Sequence, residues 1–156
     1  FVFSETLFRN VVMGSKEDIE RFNHSIEIAN LREFLNDLPL NENTMLGVSG
    51  IGVSGGQKQR ILIARAVYKD ADFFFLDEAT SSLDSENERI IYENLNKFFE
   101  NKTVVIVAHR LSTVKNADQI VVLDKGEVVE IGRHQNLVAE RGVYYSLVEN
   151  QLELGV

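Results

Sequence analysis

A short apolar run that ends in two acids most constrains how this chain can fold. Residues 73–76 read Phe-Phe-Phe-Leu, as in a strand covered on both faces, and Asp77 and Glu78 follow at once. A second buried strand is predicted at residues 103–108, after a helix at residues 84–100. Strand–helix–strand repetition predicts a mainly parallel sheet with crossover helices. Ligands of such sheets bind beyond the carboxyl ends of the strands, which is where the two acids lie.

A glycine-containing loop opens the helix that precedes this strand. Residues 53–60 read Val-Ser-Gly-Gly-Gln-Lys-Gln-Arg. Ser54 and Gln57 have the spacing of a capping box, in which side chains bond the orphan amides of the first turn. The helix is predicted to extend to about Lys69 and to be buried, because apolar residues nearly surround it. The two glycines leave bare amides at the helix N-terminus, where the dipole favours an anion such as phosphate. An ordinary capped helix start is the alternative for this motif alone.

The acids and one histidine are candidates for metal and water chemistry. An acid such as Asp77 at a strand end can hold Mg²⁺, usually through water, because Mg²⁺ keeps part of its hydration shell. A second acid, Glu78, can polarise an attacking water. His109 directly follows the strand at residues 103–108 and projects at the same sheet edge, where imidazole can bond a terminal phosphate or a water. The alternatives are surface acids that merely end a strand and a structural histidine. Asp84, a few residues further on, either caps the next helix or orients a loop across a partner surface.

The remaining segments predict elements that pack around this edge. Residues 1–14 are apolar and irregular, and Ser15 caps a helix with acids in its first turn. His24 and His134 lack a functional context and are predicted to be surface or helix residues. Further predicted elements are a short helix at residues 31–38, a loop at residues 40–52, a Ser85-x-x-Glu88 capping box, strands at residues 117–123 and 127–131 joined by the Asp124-Lys125-Gly126 turn, and one or two short helices from His134.

Composition excludes several classes of function. The net charge of -8 argues against nucleic acid or an anionic membrane surface as the main partner. The absence of cysteine excludes a disulfide frame, a thiolate metal site and a cysteine nucleophile. No apolar run is long enough to cross a bilayer, and no signal peptide is visible. The chain starts at Phe1 without a methionine, which we interpret as a start within a longer protein.

Together these motifs resemble the nucleotide-binding domain of ABC transporters. VSGGQKQR at residues 53–60 is similar to the family's signature motif. FFFLDEATSSLD at residues 73–84 is similar to its Walker B strand, catalytic glutamate and D-loop, and AHRLS at residues 108–112 to its switch-histidine loop. The order and spacing fit over essentially the whole chain. The HRLS sequence resembles exporters, and among exporters the peptide and bacteriocin type is the candidate class.

The resemblance implies an α/β fold that is a partial P-loop NTPase (ABC ATPase) fold. Residues 1–70 would form the helical, signature-motif subdomain with a residual core segment, and residues 71–156 the carboxyl-terminal part of the mainly parallel ATPase core. No G-x-x-x-x-G-K-[ST] sequence occurs in the chain. In the family this Walker A P-loop lies upstream, and residues 1–8 resemble the segment just after the glutamine loop. We therefore expect a carboxyl-terminal fragment that alone binds ATP weakly or not at all and does not hydrolyse it. Micromolar affinity for Mg-ATP in calorimetry, or clear turnover, would contradict this.

The resemblance also implies a role for each matching residue. The γ-phosphate of an ATP bound mainly to the opposite subunit would be contacted by the signature residues, which are Ser54, Gly55, Gly56 and Gln57. Asp77 would serve Mg²⁺, and Glu78 would be the general base for the hydrolytic water. His109 would hold the γ-phosphate, and Asp84 would lie at the dimer interface. Splitting these roles between two subunits makes hydrolysis depend on closure.

The implied function is ATP binding and hydrolysis that drives transmembrane transport by an exporter, with ATP and Mg²⁺ as cofactors. Its partners would be a second nucleotide-binding domain and a transmembrane domain at the cytoplasmic face of the cell membrane, with no nucleic acid. Val48 departs from the similar exporter loop, which places an acid after the glycine and touches the membrane domain. A soluble ABC ATPase of DNA repair or translation and a non-enzymatic interaction module are the alternatives, which the sequence preceding Phe1 would distinguish.

Overall fold

The computed structural model describes residues 1–77, 79–80, 82–107 and 114–153, with only the backbone at residues 49 and 151–153. The chain divides into two compact units, Phe1–Val105 and Ile106–Val156. The helices are α1 (Leu7–Val12), α2 (Ile19–Ile28), α3 (Arg32–Asp37), α4 (Gly55–Lys69), α5 (Ser85–Phe98), α6 (His134–Glu140) and α7 (Val143–Glu153). The strands are β1 (Phe73–Asp77), β2 (Thr103–Val107), β3 (Ile120–Asp124) and β4 (Glu127–Gly132). Within the described ranges, no helix is both long and apolar enough to cross a membrane.

The amino-terminal segment contains a helix that the sequence pattern did not predict. The hydroxyl of Thr6 accepts a hydrogen bond from the backbone amide of Arg9 and caps α1. Leu7 and Val11 are fully buried on this helix, which ends at Met13 in the left-handed conformation. The prediction of an irregular segment over residues 1–14 is therefore wrong for α1, because a threonine cap and tertiary burial stabilise a helix too short to show a clear period.

Helix α2 begins at Ile19, and its cap is Asp18 rather than the predicted Ser15. The carboxylate of Asp18 accepts from the backbone amide of Arg21 at 3.0 Å. The buried hydroxyl of Tyr68 donates to the Lys16 carbonyl at 2.6 Å and accepts from the Asp18 amide at 3.0 Å. These bonds use backbone groups that a helix starting at Ser15 would need. A contact from a distant helix therefore sets where α2 starts.

Helix α4 confirms the sequence prediction and forms the centre of the first unit. Ser54 and Gln57 make both bonds of the capping box, and the helix ends at Asp70 in the left-handed conformation. Helices α1 and α2 pack against it, and no residue from Gln59 to Tyr68 is exposed. The fully buried apolar residues of this unit are Leu7, Val11, Ile26, Ala29, Leu31, Leu46, Ile61, Ala64 and Ile91.

Strands β1 and β2 lie side by side and are connected by α5, which is the crossover arrangement of a parallel pair. Phe74 points into the core and lies 5.6 Å from the ring of Phe98, edge to face. Phe73 and Phe75 are 66% and 79% exposed. The prediction that β1 is covered on both faces is therefore wrong in this structure, since side chains alternate along a strand and only one face meets α5. The same correction applies to β2, which is largely exposed.

The cap of α5 is Asp84, which the sequence offered as one possibility, and the predicted Ser85-x-x-Glu88 capping box is wrong. Asp84 has extended backbone angles and its side chain accepts from the amide of Asn87, so Asp84 is the cap and Ser85 is the first helical residue. The predicted partner of Ser85, Glu88, accepts a hydrogen bond from the hydroxyl of Thr80 at 3.0 Å. A carboxylate at the cap also complements the helix dipole, which favours Asp84 over the neighbouring serine.

The second unit is built on the predicted hairpin, which is confirmed. Strands β3 and β4 pair antiparallel with Asp124 opposite Glu127, and a register shift follows Val122. Lys125 and Gly126 both have positive φ, at 49° and 84°, which is the backbone of a two-residue type I′ turn. The apolar face of the hairpin packs with α6 and α7. Short helices were predicted from His134 onward, and these two are present. The core of this unit consists of Ile120, Val122, Leu137, Tyr144 and Val148.

Candidate functional site

The first turn of α4 presents hydrogen-bond donors to the outside. Ser54 Oγ accepts from the Gln57 amide at 3.2 Å, and the Ser54 amide donates to Gln57 Oε1 at 2.8 Å. Because Ser54 Oγ accepts in this bond, its own proton is available for another acceptor. The amides of Gly55 and Gly56 have no acceptor within the helix, as in the first turn of any α-helix. Ser54 and Gly55 are exposed, so this turn can bind an anion.

The loop after β1 packs against this turn. Gln59 Oε1 accepts from the Ser82 amide at 2.9 Å. A Cβ placed on Gly56 would lie 3.3 Å from the Ser82 carbonyl oxygen, and one on Gly55 would lie 3.8 Å from Ser82 Cβ. A side chain at position 56 would therefore press on the loop, whereas position 55 has room. The sequence motif at residues 53–60 and the loop at residues 82–84 are thus neighbours in one compact unit.

Asp84 ends this loop with both carboxylate oxygens bonded to one residue. Asp84 Oδ1 accepts from the Asn87 amide at 3.0 Å, and Oδ2 accepts from Asn87 Nδ2 at 2.7 Å. The hydrogen bonds from the backbone and then the side chain of Asn87 lower the pKa of Asp84, although the carboxyl group is solvent-exposed. Asp84 is accordingly a fixed anion at neutral pH.

Asn87 connects Asp84 to two other elements. Asn87 Oδ1 accepts from Asn30 Nδ2 at 2.9 Å and from Arg60 Nη1 at 3.4 Å. Arg60 Nη1 also donates to the Asn30 carbonyl at 2.8 Å. Burial lowers the pKa of Arg60, while the charges of Asp84 and Glu33 act in the opposite direction. A chain of hydrogen bonds thus links the end of α2, the first half of α4 and the start of α5.

Asp77 lies at the carboxyl end of β1 and is exposed. Within residues 1–77, 79–80, 82–107 and 114–153, three or more potential metal ligands do not gather at any point. The role of Asp77 as a Mg²⁺ ligand therefore stays a prediction.

Comparison with known proteins decides the family. Residues 2–81 match the ABC transporter family. This chain belongs to the ABC transporter family. It is 45% identical to the ATP-dependent lipid A-core flippase of Idiomarina loihiensis over 94% of this chain and 25% of the flippase. It is 46% identical to P-glycoprotein 14 of Caenorhabditis elegans over 96% of this chain and 11% of that protein.

A solved structure gives the same fold. The structure of a bacterial Atm1-family ABC exporter with ATP bound superimposes with a TM-score of 0.89 at 32% identity, covering 96% of this chain and 26% of that one. The predicted partial ABC ATPase fold is confirmed by this match. The chain spans about a quarter of the length of the flippase that it matches.

The structure describes some of the predicted site residues of this ABC chain and not others. Gly55 and Gly56 begin α4 beside the loop that Asp84 ends, and Asp77 ends β1. Glu78 and His109 lie outside the described residues, so their predicted roles stay predictions. Val48, the departure in the exporter-like loop, is fully exposed. The remaining histidines fit their predictions, since His24 lies exposed on α2 and His134 starts α6, where its Nδ1 contacts the Tyr144 hydroxyl at 2.8 Å.

Sequence reasoning missed two residues that hold the site together, Gln59 and Asn87. Asp84-x-x-Asn87 has the spacing of a capping pair, so Asn87 could have been found by testing the third helical position for a polar side chain. The link from Gln59 to Ser82 has no local signal, because the two residues are far apart in sequence and meet only in the folded unit.

Proposed function

We propose that this chain forms part of the ATP-binding and ATP-hydrolysing machinery of an ABC exporter and couples hydrolysis to transmembrane transport. The names of its relatives support this proposal, since one is an ATP-dependent flippase and the structural neighbour is an exporter with ATP bound. The observation that carries it is the exposed first turn of α4, where the Ser54 hydroxyl and the amides of Gly55 and Gly56 can bind a phosphate. Gln57 holds this turn in shape through the capping box.

In this proposal each acidic and basic group has a separate task. Asp77 holds Mg²⁺ at the end of β1, and the ion, when bound, neutralises charge that develops on the phosphates. Glu78 accepts the proton of the attacking water, and His109 donates to the γ-phosphate. Both roles are taken from the resemblance of the two motifs to those of the family. Neither the lipid A flippase nor the P-glycoprotein match tests whether the substrate is a peptide or bacteriocin, which stays a prediction.

The proposed assembly is a dimer of nucleotide-binding domains attached to transmembrane domains, at the cytoplasmic face of the cell membrane. Residues 1–70 would act as the signature subdomain and residues 71–156 as part of the core. We call the first turn of α4, residues 54–57, the signature turn. This turn and Asp84 would face the nucleotide held mainly by the second domain. A polypeptide limited to these 156 residues, which contain no Walker A sequence, would not turn over ATP.

A negative charge introduced in the first turn of α4 tests this function. Gly55→Glu places a carboxylate about 5 Å from a phosphate bound at the turn, which costs about 3 kcal/mol at an effective dielectric constant of about 20. ATP hydrolysis by the purified exporter that carries this sequence should fall by more than about 100-fold. Its thermal stability should be unchanged or higher, because an acid in the first turn suits the helix dipole and glycine is a poor helix former.

Gly52→Glu is the matched control for this experiment. Gly52 is exposed just before the turn, and a Cβ there would have no neighbour within 4 Å. This variant adds the same charge outside the helix and should hydrolyse ATP at close to the wild-type rate. A folded Gly55→Glu exporter with wild-type hydrolysis would refute the proposed function.

A further inference from the structure

The hydrogen bonds around Asp84 connect two segments that the proposed mechanism uses at the same nucleotide. One is the signature turn at the start of α4, and the other is the loop at residues 82–84. Gln59 on α4 accepts from the Ser82 amide. Arg60, the next residue of α4, reaches Asn87, which in turn holds both oxygens of Asp84. Adjacent residues of one helix therefore hold the two ends of the loop.

The geometry fixes which way the amide of Asn87 points. Its oxygen faces donors on Asn30 and Arg60, and its NH₂ group faces the Asp84 carboxylate. The flipped amide would place donor against donor on one side and oxygen against carboxylate on the other. The amide of Asn87 is therefore a bridge, with its oxygen toward the Arg60 guanidinium and its NH₂ group toward the Asp84 carboxylate. The flipped orientation satisfies neither partner.

Two further observations indicate that this bridge is tightly held. Asn30 adopts a positive φ of 51° at the end of α2, which brings its carbonyl to Arg60 as well as its side chain to Asn87. On the other side, a Cβ at Gly56 would lie 3.3 Å from the Ser82 carbonyl oxygen, so the loop is already close to the helix. Movement of the loop away from α4 would break the bond from the Ser82 amide to Gln59, and movement toward α4 would bring the Ser82 carbonyl against Gly56.

We propose that Asn87 and Gln59 are positioning residues that join the loop at residues 82–84 to the signature turn, so that Ser54 and Asp84 approach the partner's nucleotide as one rigid element. This inference rests on the proposed function for its consequence in ATP hydrolysis. The link itself is a property of this chain and can be measured without ATP. Neither residue touches the nucleotide in this scheme, and both act through the segments that they hold.

Titration of the Asp84 carboxyl group by NMR in the 156-residue chain tests the Asn87 half of the link. Asn87→Ala removes the Nδ2 donor, so the pKa of Asp84 should rise toward its ordinary value, while the bond from the backbone amide at position 87 remains. Asn87→Asp keeps an oxygen toward Arg60 and Asn30 but replaces the donor with an anion, so it should raise this pKa further. An Asp84 pKa that is unchanged in both folded variants would overturn the proposal.

Asn94→Ala is the matched control. Asn94 also lies on α5 and also tethers this helix to the end of α2, donating to the carbonyls of Glu27 and Ile28 at 3.4 and 3.3 Å. In the described part of the chain, the hydrogen bonds to the Asp84 carboxylate come from Asn87 and not from Asn94. A merely structural role for asparagines at this helix contact would move the pKa of Asp84 in the Asn94 and Asn87 variants alike, whereas the proposal requires a change only in the latter.

Amide hydrogen exchange tests the Gln59 half. Gln59→Leu removes the acceptor of the Ser82 amide, and exchange at Ser82 should become about fivefold faster, as expected for the loss of one hydrogen bond between neutral groups. Gln59→Glu retains an oxygen at that place and should restore slow exchange. Equal exchange at Ser82 in the wild-type, leucine and glutamate chains would overturn the proposal.

The consequence is measured in the exporter that carries this sequence. Asn87→Ala and Gln59→Leu should each lower the kcat for ATP hydrolysis several-fold, Gln59→Glu should restore it, and Asn94→Ala should leave it unchanged. If the pKa and exchange effects occur and kcat does not change, the link exists but does not position the site, and the proposal is refuted. A wild-type exporter that hydrolyses no ATP would instead refute the proposed function, whatever the two measurements on the chain show.

Discussion

Asn10 is the buried polar residue that holds the amino-terminal segment, and its removal has a cost that can be worked out. Its side chain is fully buried. Asn10 Nδ2 donates to the carbonyls of Phe3, Glu5 and Thr6 at 3.0, 3.2 and 3.1 Å. Asn10 Oδ1 accepts from the Phe3 amide at 2.8 Å and from Arg65 Nη2 at 3.4 Å. Arg65 donates to the Asn10 carbonyl at 2.8 Å, which ties the same turn to α4. The perturbation is Asn10→Ala.

The expected loss of stability is about 2.5 kcal/mol. An amide has only two N–H donors, so the three contacts of Asn10 Nδ2 count as two hydrogen bonds. The 2.8 Å bond to Oδ1 adds a third, and the 3.4 Å contact from Arg65 is too long to be counted as a full bond. Each contributes a net of about 1 kcal/mol. Alanine is the better helix former by about 0.5 kcal/mol, which offsets part of the loss. With a slope of about 2 kcal/mol per M in urea, the unfolding midpoint should fall by about 1.2 M.

Urea unfolding followed by circular dichroism measures this change. The matched control is Asn43→Ala. Asn43 is exposed, and its side chain donates to the neighbouring Glu42 at 3.4 Å. Its removal should change the free energy of unfolding by less than about 0.5 kcal/mol. Asn10→Leu separates hydrogen bonding from volume, because leucine fills a similar space without polar atoms. If Asn10→Leu is as stable as the wild type, the loss in Asn10→Ala comes from a cavity and the reasoning from hydrogen bonds is refuted.

Two further predictions concern the loop before α4 and the carboxyl-terminal unit. A Cβ at Gly50 would collide with the Met45 carbonyl, whereas one at Gly52 meets nothing within 4 Å. Gly50→Ala should therefore lower the thermal unfolding midpoint clearly, and Gly52→Ala should not. Equal midpoints in the two variants would contradict the geometry. Burial raises the pKa of Tyr144, so its contribution to stability is complete below its ordinary value of about 10 and is lost as pH rises through the folded value. Urea unfolding at about pH 9 and about pH 11 should therefore show an alkaline loss that Tyr144→Phe reduces and Tyr145→Phe does not; an identical loss in both variants would count against this assignment.

The sequence predicted the elements whose signals are local. The capping box of α4 and the Lys125-Gly126 turn each depend on two to four neighbouring residues, and both are present as predicted. The start of α2 could not be predicted in this way, because the hydroxyl of Tyr68, fifty residues from Asp18, holds the backbone that Ser15 would have capped. Where two local capping signals competed, as Ser15 and Asp18 did, a tertiary contact determined which residue caps the helix.

The site was predictable as a set of motifs and not as a set of contacts. Spacing alone indicated that Asp77 follows a strand and that Gly55 and Gly56 open a helix. The prediction that both faces of β1 are covered was wrong, because a continuous apolar run does not reveal which face of the strand is covered. The bridge made by Asn87 was missed because an asparagine in a helix is ordinary unless its partners from other elements are known.

The alternation along β1 also governs how the chain behaves in concentrated solution. Phe73, Phe75 and, on the neighbouring strand, Val105 leave large apolar side chains in contact with water. Short aromatic and β-branched strands of this kind are the segments through which polypeptides stack into insoluble aggregates. The shared charge of -8 opposes such contacts, over about 8 Å at physiological salt and about 30 Å in dilute buffer. We therefore expect added salt to promote association of the 156-residue chain, which light scattering at two ionic strengths would measure.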